Sequence, residues 1–270
     1  MIRLNILAFL NSFLFIPVWI TILSISCIAK NKPQPDLISI DPFEIAILKK
    51  EITPWATLIN SNTDELKNIY LPNAMKVNTK GEVLSGNTVI NTFYKNNPLH
   101  IDSLKVLLRT QASQTKVYEI GKIYSTNQKA YNYLHIWHIS DKEKKIELEF
   151  IEPSGSSGSV TNEINKAREE WMKLCNQHNA SILIERMYTP NALYYNHKPM
   201  VIGRKAITME YSYMNNGNYH LMLKPILSEM VNEKTVFEIG QCSGNYAGKY
   251  MIVWQKNESG VWQVLMDSNI

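Results

Sequence analysis

Apolar residues between positions 162 and 270 change their spacing partway along, and the change separates a helical stretch from a strand-forming one. Over residues 163–178 they fall at Ile164, Ala167, Trp171, Leu174 and Cys175, three or four apart, which predicts an amphipathic helix. Asn179 stands where an N-cap belongs, so a short second helix is expected through Met187. Residues 192–195 suit a brief strand, Gly203 ends a loop, and residues 205–214 read as a third helix. Beyond Asn215-Asn216-Gly217-Asn218 the pattern becomes alternating over residues 219–230, 235–242, 249–255 and 261–266. Period-two runs separated by turns rich in Asn, Gly and Glu predict four long strands in an antiparallel meander. Helices followed by a strongly curved sheet make an α+β cone with a pocket between the layers.

The same order is written twice. Tyr70-Leu71-Pro72-Asn73-Ala74 returns as Tyr188-Thr189-Pro190-Asn191-Ala192, a shift of 118, and Val117-Tyr118-Glu119-Ile120-Gly121 returns as Val236-Phe237-Glu238-Ile239-Gly240, a shift of 119. Trp55 and Trp171, Asn78 and Asn196, Tyr94 and Tyr211, Tyr133 and Tyr250, and Trp137 and Trp254 hold that register to within a few residues. Chance similarity would not keep one register from a helix through four strands, so the chain reads as a duplication. Pro153-Ser154-Gly155-Ser156-Ser157-Gly158-Ser159 has the composition of a flexible linker. The expected plan is a signal peptide or anchor over 1–27, a tether over 28–42, a first domain over 43–152, a linker over 153–161 and a second domain over 162–270.

The N-terminal segment differs in kind. Within residues 1–29 Arg3 is the single charge, and an almost unbroken apolar run extends from Ile6 through Ile25, as in a segment that enters a membrane or a translocon. It ends in Leu23-Ser24-Ile25-Ser26-Cys27, which resembles a bacterial lipoprotein cleavage site with Cys27 as the lipidated residue. The departure from that pattern is Ser24 three positions before the cysteine, where leucine is usual. An uncleaved helical anchor is the competing reading. Both readings attach the globular part to the cell envelope outside the cytoplasm, periplasmic or surface-facing, through a polar, proline-bearing tether. An exported compartment permits a disulfide between Cys175 and Cys242, and two buried free thiols fit the sequence as well. The 28 basic and 24 acidic residues leave a net charge of +4 without a dense block, which argues against a nucleic-acid footprint.

Taken together, the tryptophan of the first helix, the Tyr-x-Pro-Asn-Ala segment, the Gly-x-x-x-Ile lead into the third helix and the closing Tyr-x-x-x-Trp with Gly260-Val261-Trp262-Gln263-Val264-Leu265-Met266-Asp267 resemble one family. It is the SnoaL-like (DUF4440) branch of the NTF2-like, ketosteroid-isomerase-like superfamily. The resemblance implies two cone-shaped α+β barrels, each of three N-terminal helices packed on a curved antiparallel sheet, whose open end holds a small, often apolar molecule. It also implies that the two domains pack as an internal pseudo-dimer, since family members commonly pair through the sheet. In ketosteroid isomerases the base is an Asp four residues after the Ala of the pre-strand segment; here those positions are Asn78 and Asn196, and an amide has no useful basicity.

The expected function is therefore a non-catalytic module binding a small apolar molecule or an envelope protein, with no cofactor. Its pocket would be lined by Trp55, Asn78 and Trp137 in the first copy and by Trp171, Tyr188, Tyr195, Asn196, Tyr211 and Trp254 in the second. The alternative is an isomerase, cyclase or lyase acting on a carbonyl compound through Asp267, or through His197 with Tyr195. The first copy offers no evident counterpart to Asp267, because Ile146-Glu147-Leu148-Glu149-Phe150 reads as apolar residues alternating with exposed acids. His135 and His138 sit on opposite strand faces without an acidic partner at fixed spacing, so no metal site is expected. Nucleophile elbows, phosphate-binding glycine loops and Cys-x-x-Cys pairs do not occur.

Overall fold

Both copies open with helices and close with four long strands, in the order that the apolar spacing dictates. The computed structural model describes residues 54–155, 159, 162–196 and 199–270. The apolar run with Cys27, the tether and His197 lie outside the described residues, and among those described no helix is long and apolar enough to cross a membrane.

The first half runs α1 (54–61), a 3-10 turn Asp64–Ile69, β1 (Tyr70–Val77), β2 (Val83–Ser85), α2 (Asn87–Asn96), β3 (Ile101–Ser113), β4 (Lys116–Ser125), β5 (Ala130–Ile139) and β6 (Lys144–Pro153). The second runs α3 (Asn162–Cys175), α4 (Ala180–Met187), β7 (Tyr188–Tyr195), β8 (Val201–Ile202), α5 (Arg204–Glu210) with a 3-10 turn Tyr211–Asn215, β9 (Leu221–Asn232), β10 (Thr235–Gly244), β11 (Lys249–Lys256) and β12 (Trp262–Asn269). Asn179 caps α4 as its position predicts, its side chain accepting from the Ile182 N–H at 3.1 Å.

Each half contributes one six-stranded sheet, β2-β1-β6-β5-β4-β3 and β8-β7-β12-β11-β10-β9. The last four strands form the antiparallel meander, but β1 lies parallel to β6 and β7 parallel to β12. The sheets are therefore mixed and open rather than wholly antiparallel and closed into barrels. The segment expected to be a brief strand is eight residues long because it pairs along the last strand of its half.

A bulge recurs in that last strand. Leu148 faces Ile136 and Ile146 faces Trp137, which leaves Glu147 as the extra residue; Met266 faces Val253 and Val264 faces Trp254, which leaves Leu265. Three residues apart on a regular strand, Ile146 and Glu149 would point to opposite faces; with the bulge both turn toward the helices, as do Val264 and Asp267.

Three buried clusters follow. One packs Trp55, Tyr70, Ile90, Tyr133 and Ile146 between the helices and sheet of the first half, and another does the same with Trp171, Tyr188, Ile207, Tyr250 and Val264. The third lies between the two sheets and draws on both halves, including Ile120, Leu148, Phe150, Phe237, Ile239 and Met266. Contacts across this seam exchange under the duplication. Phe150 meets Phe237 edge-on at 5.4 Å, and their counterparts Ser268 and Tyr118 meet at 3.1 Å between hydroxyl oxygens. An exchange of this kind is the mark of an isologous, two-fold-like arrangement.

The two glycines of the repeated Glu-Ile-Gly motif face tyrosine rings across the strand pair. A Cβ on Gly121 would come within 2.4 Å of the Tyr133 ring, and one on Gly240 within 2.3 Å of Tyr250. The missing side chain is filled by the neighbouring aromatic. Gly240→Ala is expected to cost about 1–3 kcal/mol through overpacking; a denaturant midpoint equal to that of the parent would refute it.

Candidate functional site

Duplication places one carboxylate under the helices of each half. Glu149 and Asp267 stand 118 residues apart in the register of the repeat, and both are buried. The sequence expectation that the first copy lacks a counterpart to Asp267, and that its two acids are exposed, is corrected: Glu147 is 4% and Glu149 0% exposed. The alternation was misread because one face of β6 is covered by helices and the other by the second sheet, so neither is solvated.

Around each carboxylate the same three aromatics recur. Tyr70 donates to Glu149 Oε2 at 2.7 Å and Tyr94 to Oε1 at 2.5 Å, while the Trp55 indole donates to the Tyr70 hydroxyl at 3.0 Å. In the second half Tyr188 donates to Asp267 Oδ2 at 2.7 Å, Tyr211 donates to the same oxygen, and Trp171 donates to Tyr188 at 3.2 Å. Trp55 and Trp171 are thus both packed and hydrogen-bonded.

Two positions break the symmetry. Lys76 of β1 donates to Glu149 Oε1 at 2.8 Å and to the Tyr94 hydroxyl at 3.0 Å; the equivalent residue of β7 is Tyr194, which donates to Asn269 at 2.7 Å instead. His135 of β5 brings Nε2 to 3.3 Å from Glu149 Oε2, where the second half has Ile252. Burial pushes the Glu149 carboxyl up, but Lys76 and His135 beside it outweigh that and hold it well below the usual range. Among the described residues no cation takes that place beside Asp267. Burial raises its carboxyl above the usual value, against the hydrogen bonds from Tyr211 and Tyr188 that favour the charged form.

The folded chain thus holds the Asp267 proton more tightly than the unfolded one. Its contribution to stability is fully present below the usual value of 3.8 and is lost as pH rises through the raised folded value. Asp267→Asn keeps an acceptor for both tyrosines without a charge. It is expected to raise Tm at pH 7 and to leave it nearly unchanged at pH 3; a lower Tm at pH 7 in thermal melts would count against it.

A pocket of about 640 Å³ opens in the first half, with Lys76 and Tyr94 at its base, Leu84, Phe93 and Ile151 among its walls and Asn78 at its edge. Asn78 is fixed by its own turn, its Oδ1 accepting from the N–H groups of Lys80 and Glu82 and its amide donating to Glu82. Among the described residues the buried Oδ1 of Asn196 meets no partner, nor do the indole N–H groups of Trp137 and Trp254. Tyr195 points into the seam between the sheets and donates to Glu147, which also pairs with Lys116. Cys175 and Cys242 are free and buried, each thiol pushed up to about 12 by burial, so both are unreactive thiols. Sequence reasoning missed Glu149 and Lys76 as site residues. The repeat offset from Asp267 locates the first, and nothing in the local sequence marks the second.

No protein-family model and no curated protein matches the chain. Among solved structures it is similar to an NTF2-like protein of unknown function from Shewanella oneidensis MR-1, at 11% identity over 40% of this chain and 95% of that one, with a TM-score of 0.36. It is also similar to an NTF2-like protein of unknown function from Silicibacter pomeroyi, at 8% identity over 41% and 96%, TM-score 0.34. A ketosteroid isomerase-like protein from Erwinia carotovora atroseptica aligns at 12% identity over 40% and 92%, TM-score 0.32. The described residues form one α+β fold written twice, each copy a six-stranded mixed sheet preceded by helices.

Proposed function

We propose that this chain is an exported, membrane-anchored binding protein of the cell envelope, in which the first-half pocket takes a small, largely apolar molecule and no reaction is catalysed. The observation that carries the reading is the pairing of an open pocket with a carboxylate that is already spoken for. Glu149, next to the pocket, is engaged by Lys76, Tyr70 and Tyr94 and held ionised, so it has little capacity to take a proton from a ligand. The exchange of contacts across the seam supports an internal pseudo-dimer, with the second half serving as the partner that covers the first sheet. Lipidation at Cys27 would supply the anchor.

Native mass spectrometry of the mature chain from Lys30 onward tests the reading. A co-purifying small molecule is the expected result. An empty protein that takes up no apolar probe and instead captures an envelope protein would overturn the small-molecule reading in favour of a surface scaffold. A second reading, an isomerase, cyclase or lyase, is favoured by Asp267 alone: a carboxyl whose pKa burial raises, against the two tyrosine hydrogen bonds that favour its charged form, is how an acid is kept protonated for catalysis. It requires turnover of a carbonyl compound that Asp267→Asn abolishes.

A further inference from the structure

Lys76 is a charged side chain, 8% exposed, in the wall of the first-half pocket. Its ammonium carries three N–H donors and no acceptor. One goes to Glu149 Oε1 at 2.8 Å and one to the Tyr94 hydroxyl at 3.0 Å, with the Phe93 and Tyr94 rings packed 5.1 and 4.9 Å away. Among the described residues the third meets no acceptor. At the pocket base Tyr94 has given its one O–H to Glu149 and already accepts from Lys76. The unmet hydrogen-bonding capacity at the base is therefore a donor, held in place by an ion pair whose charges cancel. The walls beyond it are aliphatic and aromatic apart from Asn78, Asn96 and Asn97. The other charged lining residue, Glu82, is exposed at the rim, where an ion pair is worth only about 0–1 kcal/mol.

We infer that Lys76 is the head-group selector of this pocket, which admits apolar molecules presenting an accepting oxygen, a carboxylate or an ester, amide or ketone carbonyl, and disfavours ammonium-headed ones of the same shape. This rests on the pocket being a ligand site. The selectivity arises because an oxygen satisfies the remaining N–H, whereas an ammonium head sets donor against donor and leaves both unpaired. Tyr194 at the equivalent position of the second half has its hydroxyl turned to Asn269, so the selector belongs to the first half only.

The test uses the mature chain and four probes of one shape: 2-acetylnaphthalene, 2-naphthoate, 2-naphthylmethylammonium and 2-methylnaphthalene, with binding followed calorimetrically. The oxygen-headed probes are expected to bind at least about tenfold more tightly than the ammonium, equivalent to about 1.4 kcal/mol. The double variant Lys76→Met/Glu149→Gln removes the pair together, because Lys76→Met alone strands a buried charge. It should bring that ratio to about one while the affinity for 2-methylnaphthalene holds. Equal binding of the ammonium by the parent, or a preference that survives the double variant, would overturn the role of Lys76. Failure of all four probes, 2-methylnaphthalene included, would instead remove the pocket as a ligand site and this inference with it.

Discussion

Glu149→Gln is expected to destabilise the protein by about 3–5 kcal/mol at pH 7, the usual consequence of removing one partner of a buried ion pair. Lys76 and Glu149 have side chains 10% and 0% exposed, so the ammonium left behind would be neither solvated nor paired. The amide also presents an N–H₂ where one of the two tyrosine hydroxyls must donate. The sign with pH is opposite to that for Asp267. Glu149 has a depressed folded pKa, so its contribution is fully present above the usual value of 4.5 and is lost progressively as pH falls from there through the depressed folded value. Urea unfolding of parent and variant at pH 7 and again near pH 3 checks both parts: the gap should be wide in the first and narrower in the second. A variant as stable as the parent at pH 7 would mean that the pair contributes nothing.

Arg168→Met should have an effect of similar size, about 3–5 kcal/mol, for the same reason. Arg168 reaches from α3 across the sheet to Glu238, its Nε at 2.8 Å from Oε1 and its Nη2 at 2.5 Å from Oε2. Ser228 and Tyr250 add donors at 2.6 and 3.0 Å, so the carboxylate has four protein donors and is 0% exposed. Methionine matches the stem in length but leaves Glu238 with two neutral donors and no charge. Adding Glu238→Gln to Arg168→Met should recover most of the loss, and a double variant no more stable than the single would show that packing of the guanidinium, rather than charge, is what matters. In the first half the equivalent Glu119 is met by Arg109 from β3, not from a helix. The two copies keep the buried acid and differ in which element supplies its cation.

Much of this architecture was legible from spacing. The helical repeat through Ile164, Trp171 and Cys175, the Asn179 cap and the alternating strands appear where the sequence puts them, because each depends on neighbours three, four or two residues away. What depended on distant partners was not legible. The parallel pairing of β1 with β6 joins residues 73–76 apart along the chain, and the burial of the second face of β6 depends on the other half altogether. Glu147 and Glu149 looked solvated for that reason. Trp171, Tyr188 and Tyr211 were expected to line a ligand pocket; in the fold the two tyrosines donate to Asp267 and Trp171 donates to Tyr188, whereas Tyr195, two strand positions beyond Leu193, turns to the seam and Glu147. Lys76 escaped notice since a lysine among apolar residues reads as an exposed position until its carboxylate partner is located.

The bulges at Glu147 and Leu265 also constrain how the two copies can diverge over evolution. Substitution is open to them: lysine in one copy stands opposite tyrosine in the other, histidine opposite isoleucine and glutamate opposite aspartate. Single-residue insertion or deletion in the closing strand is not. Losing Glu147 or Leu265 would turn the following residues by half a revolution and move the carboxylate from beneath the helices into the dry seam, while exporting Phe150 or Ser268 from that seam. Lineages of this protein should therefore vary freely in the chemistry around the two acids while the closing strand keeps one length.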